Sequence, residues 1–150
     1  MHIRKATADD LDALDQIMWR ACWSNEADRP FLTANPELVT ANRGLVEAGQ
    51  TFVAEENVSV GFAAYEKGEE AWELEALFVD PAFMRRGIAR GLAEACFRDL
   101  RKLGAQEVFL TANPHAMGFY QSVGFRVIDH DFQPGPRMVR PLIDRLGSLR

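Results

Sequence analysis

Between residues 73 and 125 the chain holds several residue types whose spacing suits binding an anion and moving a proton. In Leu77-Phe78-Val79-Asp80-Pro81-Ala82-Phe83-Met84-Arg85-Arg86-Gly87-Ile88-Ala89-Arg90-Gly91-Leu92, a strand-like run gives way to a short loop with two arginines, and a helical pattern opens at Gly87. A helix N-terminus offers unpaired backbone N–H groups and the positive end of the helix dipole. Small residues such as Gly87 and Ala89 admit a polyanion to that backbone, and Arg85, Arg86 and Arg90 add charge-assisted bonds. The glycine spacing is not G-x-G-x-x-G, and no Lys-Ser or Lys-Thr follows, so neither a dinucleotide fingerprint nor a Walker loop is present. Two readings of the segment stand: an anion seat, or small residues that only permit tight packing beside solvated arginines.

Upstream, Glu73 and Glu75 fall on one face of a predicted strand, together with Leu77 and Val79, with Trp72, Leu74, Ala76 and Phe78 on the other. A carboxylate there can act as a general base. Two solvated carboxylates on a half-exposed strand are the plainer alternative. Tyr120, in Phe119-Tyr120, reads on its own as a core ring with a hydrogen-bonded hydroxyl. His115 reads as a helix-start surface residue, and Asn113 before Pro114 as a turn residue. Trp19, Trp23, Phe31 and Trp72 are candidate linings of an acceptor pocket, or core aromatics at helical spacing.

The second segment resolves the first. Asn113-Pro114-His115-Ala116, Phe119-Tyr120 and Gly124-Phe125 resemble the GNAT acetyltransferase pattern Asn-x-x-Ala, then Phe-Tyr, then Gly-Phe. The arginine loop resembles that family's (Gln/Arg)-x-x-Gly-x-(Gly/Ala) element, at the expected distance upstream. Met84 departs from it, standing where Gln or Arg is usual. The resemblance implies an α+β fold, a mixed, twisted central sheet flanked by helices. It also implies acetyl-CoA as co-substrate and an amine acceptor, joined by direct transfer in a ternary complex. Neither Cys22 nor Cys96 stands at an expected nucleophile position, which disfavours a ping-pong route.

The residue roles follow from the same resemblance. The pyrophosphate falls to the backbone at Met84, Gly87, Ile88 and Ala89 with Arg85, Arg86 and Arg90. The oxyanion falls to backbone N–H groups around Leu77, Phe78 and Val79, where the sheet splays. Asn113 contacts the pantetheine arm, Tyr120 protonates the departing thiolate, and Glu73 is the base with Glu75 as runner-up. A small-molecule acceptor ranks ahead of a protein lysine or N-terminus. A non-catalytic acyl-CoA sensor on the same fold is the rival of a different class. Relatives are often dimers, and the segment from Gln133 to Pro136 offers an edge or exchange contact, so a homodimer is open.

The elements that must position these residues are legible from periodicity. A strand at 2–6 leads to Thr7, an N-cap with Asp10 three residues on, near a capping box. An amphipathic helix carries Leu11, Leu14, Ile17, Met18, Ala21 and Cys22. A polar stretch at 24–36 precedes a helix expected at 37–48, stopped by Gly49. Strands at 51–54 and 60–65 form a hairpin, and a third strand runs 71–79. A helix from Gly87 with the stripe Ile88, Leu92, Cys96, Leu100 and Leu103 closes at Gly104. A strand at 108–111, a short helix at 116–122 and strands at 126–129 and 138–142 complete the order.

The bulk properties bound the rest. The 150 residues, 47% hydrophobic and 26% charged, suit one domain over 1–150. A net charge of −5 without a basic block disfavours nucleic acid as a partner. No apolar run approaches a membrane span, and the N-terminus turns acidic at Asp9-Asp10, so the expected location is the cytoplasm. Two distant cysteines and three histidines without ligand spacing predict neither disulfide framework nor metal.

Overall fold

A computed structural model describes residues 1–143; residues 144–150, the end of the expected domain, lie outside the described residues. The chain divides into two compact units, Met1–Ala64 with Ala76–Cys96, and Tyr65–Glu75 with Phe97 onward.

In the first unit, β1 (His2–Lys5) pairs antiparallel with β2 (Thr51–Glu56), His2 opposite Glu55 and Lys5 opposite Phe52. Strand β2 pairs antiparallel with β3 (Val58–Lys67), and a single residue, Asn57 at φ 69°, joins them. The hairpin is therefore tighter than strands at 51–54 and 60–65 would leave it, because asparagine tolerates the left-handed conformation. Before the first helix, the carboxylate of Asp10 accepts the Thr7 N–H at 2.7 Å, the half of the capping box the sequence suggested. Helix α1 (Leu11–Trp23) then buries Leu14 and Ile17 against Val53 and Phe62. The apolar stripe and the strand alternation meet in one core cluster.

Two helical expectations change here. The polar stretch at 24–36 contains α2 (Arg29–Ala34), preceded by a 3-10 turn whose Ala27 N–H is capped by Asn25. The helix expected at 37–48 is broken into a 3-10 turn, Pro36–Leu38, and α3 (Arg43–Glu47). Two side chains divert the backbone between them. Asp15 takes the Ala41 N–H at 2.7 Å, and Asn42 restarts the helix by accepting from Leu45 at 3.2 Å.

Strand β4 (Trp72–Val79) begins in the second unit and ends in the first, and α4 (Ile88–Lys102) does the reverse. Gly61 is what lets the start of α4 approach: a Cβ there would lie 3.0 Å from the Phe78 carbonyl oxygen and 3.2 Å from Ile88. Leu103, expected on the buried stripe, is exposed, since the helix has ended at Lys102.

In the second unit, β5 (Glu107–Thr111) runs parallel to β4 with Glu73 opposite Phe109, and antiparallel to β7 (Arg137–Pro141). Strand β6 (Arg126–Asp129) pairs antiparallel with β7, and α5 (Met117–Ser122) precedes it. Phe97, Val108, Leu110, Phe125 and Met138 form the core. The sheet order is β1-β2-β3-β4-β5-β7-β6. The chain is thus the α+β, mixed-sheet fold flanked by helices that the motif order implied.

Candidate active site

The loop after β4 is held from below. Asp80 donates its N–H to the Val60 carbonyl at 2.8 Å, and its buried carboxylate accepts the Ala82 N–H at 3.0 Å. Arg20 of α1 closes the arrangement, with Nε and Nη2 each 2.8 Å from Oδ2 of Asp80. These contacts fix the 3-10 turn Pro81–Phe83, from which the chain leaves in extended form at Met84. Arg85 at φ 64° and Gly87 at φ 79° then turn the backbone into α4. Left-handed residues alternating with ordinary ones aim successive N–H groups in common, the geometry of backbone anion nests.

The first bond of α4 runs from the Gly91 N–H to the Gly87 carbonyl at 3.0 Å. The N–H groups of Ile88 and Ala89 therefore have no intrahelical acceptor. A side chain at Gly87 would meet nothing within 4 Å, so glycine is required here for its backbone angle and not for room. The arginines differ. Arg86 lies 3.3 Å from Glu56 and 5.0 Å above the Phe83 ring, while exposed Arg85 has no polar partner among the described residues. Arg90 projects from the first turn of α4, and the Met84 side chain is exposed. The loop thus presents helix-start N–H groups beside exposed arginine side chains. Leu77, Phe78 and Val79 are backbone of β4, with Leu77 and Phe78 half-buried and Val79 buried.

The second unit holds the titratable candidates. Glu73 is bound by Arg137 through both oxygens, Nη1 to Oε1 and Nη2 to Oε2 at 2.5 Å each. Arg137 also reaches Thr111 at 3.4 Å and lies 5.2 Å over the Phe109 ring. Its hydrogen bond to Glu73 is the main reason its pKa is raised. Glu75 has no such partner among the described residues. Its side chain is exposed, yet surrounding protein mass and then the charge of Glu66 push its pKa above the ordinary carboxylate range. The first-ranked base candidate is thus tied in an ion pair, and the runner-up is unencumbered.

Tyr120, half-buried on α5, packs edge-on against Phe119 at 5.5 Å and Phe125 at 5.8 Å. Burial raises its pKa, and its hydroxyl has no hydrogen-bond partner among the described residues. Asn113 caps a 3-10 turn, its Oδ1 accepting the His115 N–H at 2.9 Å, so its amide nitrogen stays available. His115 is exposed. The aromatic candidates separate: Trp19 and Trp23 stack at 5.5 Å with Arg29 over Trp23, and Phe31 is exposed. Trp72 packs edge-on to Tyr65.

Sequence reasoning missed Arg137, which stands 64 positions from Glu73, and Arg20, which stands 60 from Asp80. Neither has a local signal. Among the described residues no group of three or more His, Cys, Asp or Glu is arranged to hold a metal, and no helix is long and apolar enough to cross a membrane.

A model of the Acetyltransferase (GNAT) family matches residues 9–125. Mycothiol acetyltransferase of Propionibacterium freudenreichii subsp. shermanii is 28% identical over 85% of this chain; the chain spans 44% of that relative, less than half its length. Among solved structures, the PaiA N-acetyltransferase of Thermoplasma acidophilum, in complex with coenzyme A, aligns at TM-score 0.75 and 19% identity, covering 93% of this chain and 98% of that one. The ribosomal-protein-S18-alanine N-acetyltransferase of Escherichia coli aligns at 0.66 and 20% identity, covering 99% and 95%. These two likenesses are of fold.

Proposed function

This chain belongs to the acetyltransferase (GNAT) family, and we propose that it transfers the acetyl group of acetyl-CoA directly to the primary amine of a small molecule. In this reading residues 1–150 act as one acetyltransferase domain, working in the cytoplasm with its two cysteines reduced.

The loop binds the pyrophosphate with the N–H groups of Gly87, Ile88 and Ala89 and with Arg85, Arg86 and Arg90; the Met84 N–H, expected to join them, is already given to the Pro81 carbonyl at 3.4 Å. Asn113 holds the pantetheine arm through its amide nitrogen. Glu75 takes the proton of the acceptor ammonium, directly or through water, and the neutral amine attacks the thioester carbonyl. Backbone N–H groups at Leu77, Phe78 and Val79 stabilise the negative charge that develops on the carbonyl oxygen. As the carbon–sulfur bond breaks, Tyr120 gives its hydroxyl proton to sulfur, the nitrogen releases its second proton to water so that a neutral amide forms, and Tyr120 regains its proton from solvent. Glu73, neutralised by Arg137, shapes the acceptor side instead of serving as base.

The observation that carries this reading is the Tyr120 hydroxyl. Burial raises its pKa further above the ordinary phenol value, and no acceptor among the described residues matches it, which suits a donor that meets a bound molecule. The test is thiol release from acetyl-CoA against a panel of amines, amino acids, polyamines and peptides. Release with a small primary amine is expected, and Tyr120→Phe should lower it on the order of 100-fold while leaving acetyl-CoA affinity nearly intact. Binding without release across the panel would favour a sensor. Release only with peptides would move the acceptor to protein.

A further inference from the structure

Helix α5 carries Tyr120, yet its six residues are too few to hold a helical conformation alone. What fixes its C-terminal end stands on β7. The Nε of Arg140 donates to the Val123 carbonyl at 2.8 Å, one of the orphan acceptors every helix end leaves. Its Nη1 donates to the Pro141 carbonyl at 2.7 Å, and its guanidinium carbon lies 4.4 Å over the Phe97 ring. The Arg140 stem lies against Gly124, where a Cβ would come within 2.9 Å of Nε and 3.4 Å of Cγ. Gly124 also has φ +102°, so the chain reversal and the close approach both call for glycine.

The same turn holds Tyr120. The N–H groups of Val123 and Phe125 both donate to the Tyr120 carbonyl, at 3.2 and 3.0 Å. The Tyr120 ring rests on Phe125, whose ring lies 5.9 Å from that of Phe97. Arg140 thus grips the series Tyr120–Phe125–Phe97 at two points, by the Val123 carbonyl and by the Phe97 face.

We propose that Arg140 is a positioning residue for acetyl transfer: by holding the C-terminal end of α5 it sets where the Tyr120 hydroxyl stands when the thiolate departs. This rests on Tyr120 as the proton donor. In the step it serves, the Tyr120 O–H bond breaks, the S–H bond of coenzyme A forms, and the tyrosinate is reprotonated from solvent. Proton donation is sensitive to placement, and a shift of about 1 Å can cost up to about 100-fold in rate.

The test is a double-mutant cycle on the full chain, with turnover expressed per acetyl-CoA-binding site counted by calorimetry. Arg140→Met keeps the stem against Gly124 and Phe97 but removes every donor. It should lower turnover per site about tenfold with KM and acetyl-CoA affinity unchanged, and Arg140→Lys should recover part of the loss. In the Tyr120→Phe background, Arg140→Met should lower turnover no further. A multiplicative loss in the double variant, or full turnover in Arg140→Met, overturns the inference and leaves the Tyr120 assignment standing. Full turnover in Tyr120→Phe alone overturns both. Where Arg140→Met does not fold, the same cycle is run with Arg140→Leu, which also removes every donor, and the same outcomes decide.

Discussion

Glu73 and Glu75 share a strand face and differ in what surrounds their carboxyls. Glu73 gives both oxygens to Arg137, whereas Glu75 has no cation partner among the described residues, and the surrounding protein mass and the Glu66 charge raise its pKa. A base must be deprotonated to act, so turnover should fall as pH drops through the Glu75 pKa, beginning above the usual carboxylate range. Glu75→Gln should remove that acid limb and slow the reaction on the order of 100-fold. The sign for stability is opposite. A carboxyl whose folded pKa is raised costs stability once it is ionised, so Glu75→Gln should raise the unfolding temperature at neutral pH. Glu73→Gln should instead lower stability and keep the acid limb. A pH–rate profile for both variants, with thermal unfolding beside it, would separate the roles; an acid limb lost in Glu73→Gln and retained in Glu75→Gln would reverse them.

At the scale of elements, two local devices decide whether the site can form. One is the loop into α4, where Arg85 occupies a left-handed angle that glycine adopts without strain. Arg85→Gly relieves roughly 1 kcal/mol of backbone strain and adds a comparable entropy cost, so stability should scarcely move. The variant should nonetheless bind acetyl-CoA about tenfold more weakly, and with less dependence on salt, because a charge-assisted contact is gone. Isothermal titration at two ionic strengths checks it; undiminished affinity would remove Arg85 from the site. The other device joins β1, β2 and the entry to α1. Asp10 accepts from Arg4 at 2.9 Å through each oxygen, and Arg4 Nε also reaches Glu55 at 2.8 Å. The hydrogen bond from Arg4 is the largest cause of the lowered Asp10 pKa, ahead of the Thr7 N–H. A depressed carboxylate stabilises the fold above its unfolded pKa, near 4, and loses that contribution as pH falls through the folded value. Asp10→Asn should cost about 1–2 kcal/mol at neutral pH and much less at pH 3, read by urea unfolding at both. An equal loss at both values would place the effect in the cap alone.

Over the whole molecule, ligand binding should appear as folding stability, since a site assembled by folding is absent from the unfolded chain. Acetyl-CoA at about 100 times its Kd should contribute about 2.7 kcal/mol, roughly 5–10 °C in Tm for a chain of this size. Acetyl-pantetheine, which lacks the pyrophosphate, should give a much smaller shift at equal concentration. Equal shifts would mean that the loop from Met84 to Arg90 adds nothing to affinity.

How much of this could be read in advance depends on how far apart the interacting groups stand in the chain. The loop, the strand before it and the helix after it were legible because glycine placement, apolar periodicity and motif order act over a few residues. The break between residues 38 and 43 was not, because Asp15 makes it from a distant helix. The family resemblance ranked Glu73 ahead of Glu75, but it could not supply the partner of either. Strand register, which brings β7 to β5, puts Arg137 at Glu73 and not at Glu75. Arg140 reaches Val123 for the same reason. Composition and spacing determined which residue types this chain has available and in what order. Only the tertiary structure decided which of them are paired and which are left open, because the desolvation and charge that set a carboxyl's or a phenol's behaviour are supplied by residues far away in sequence.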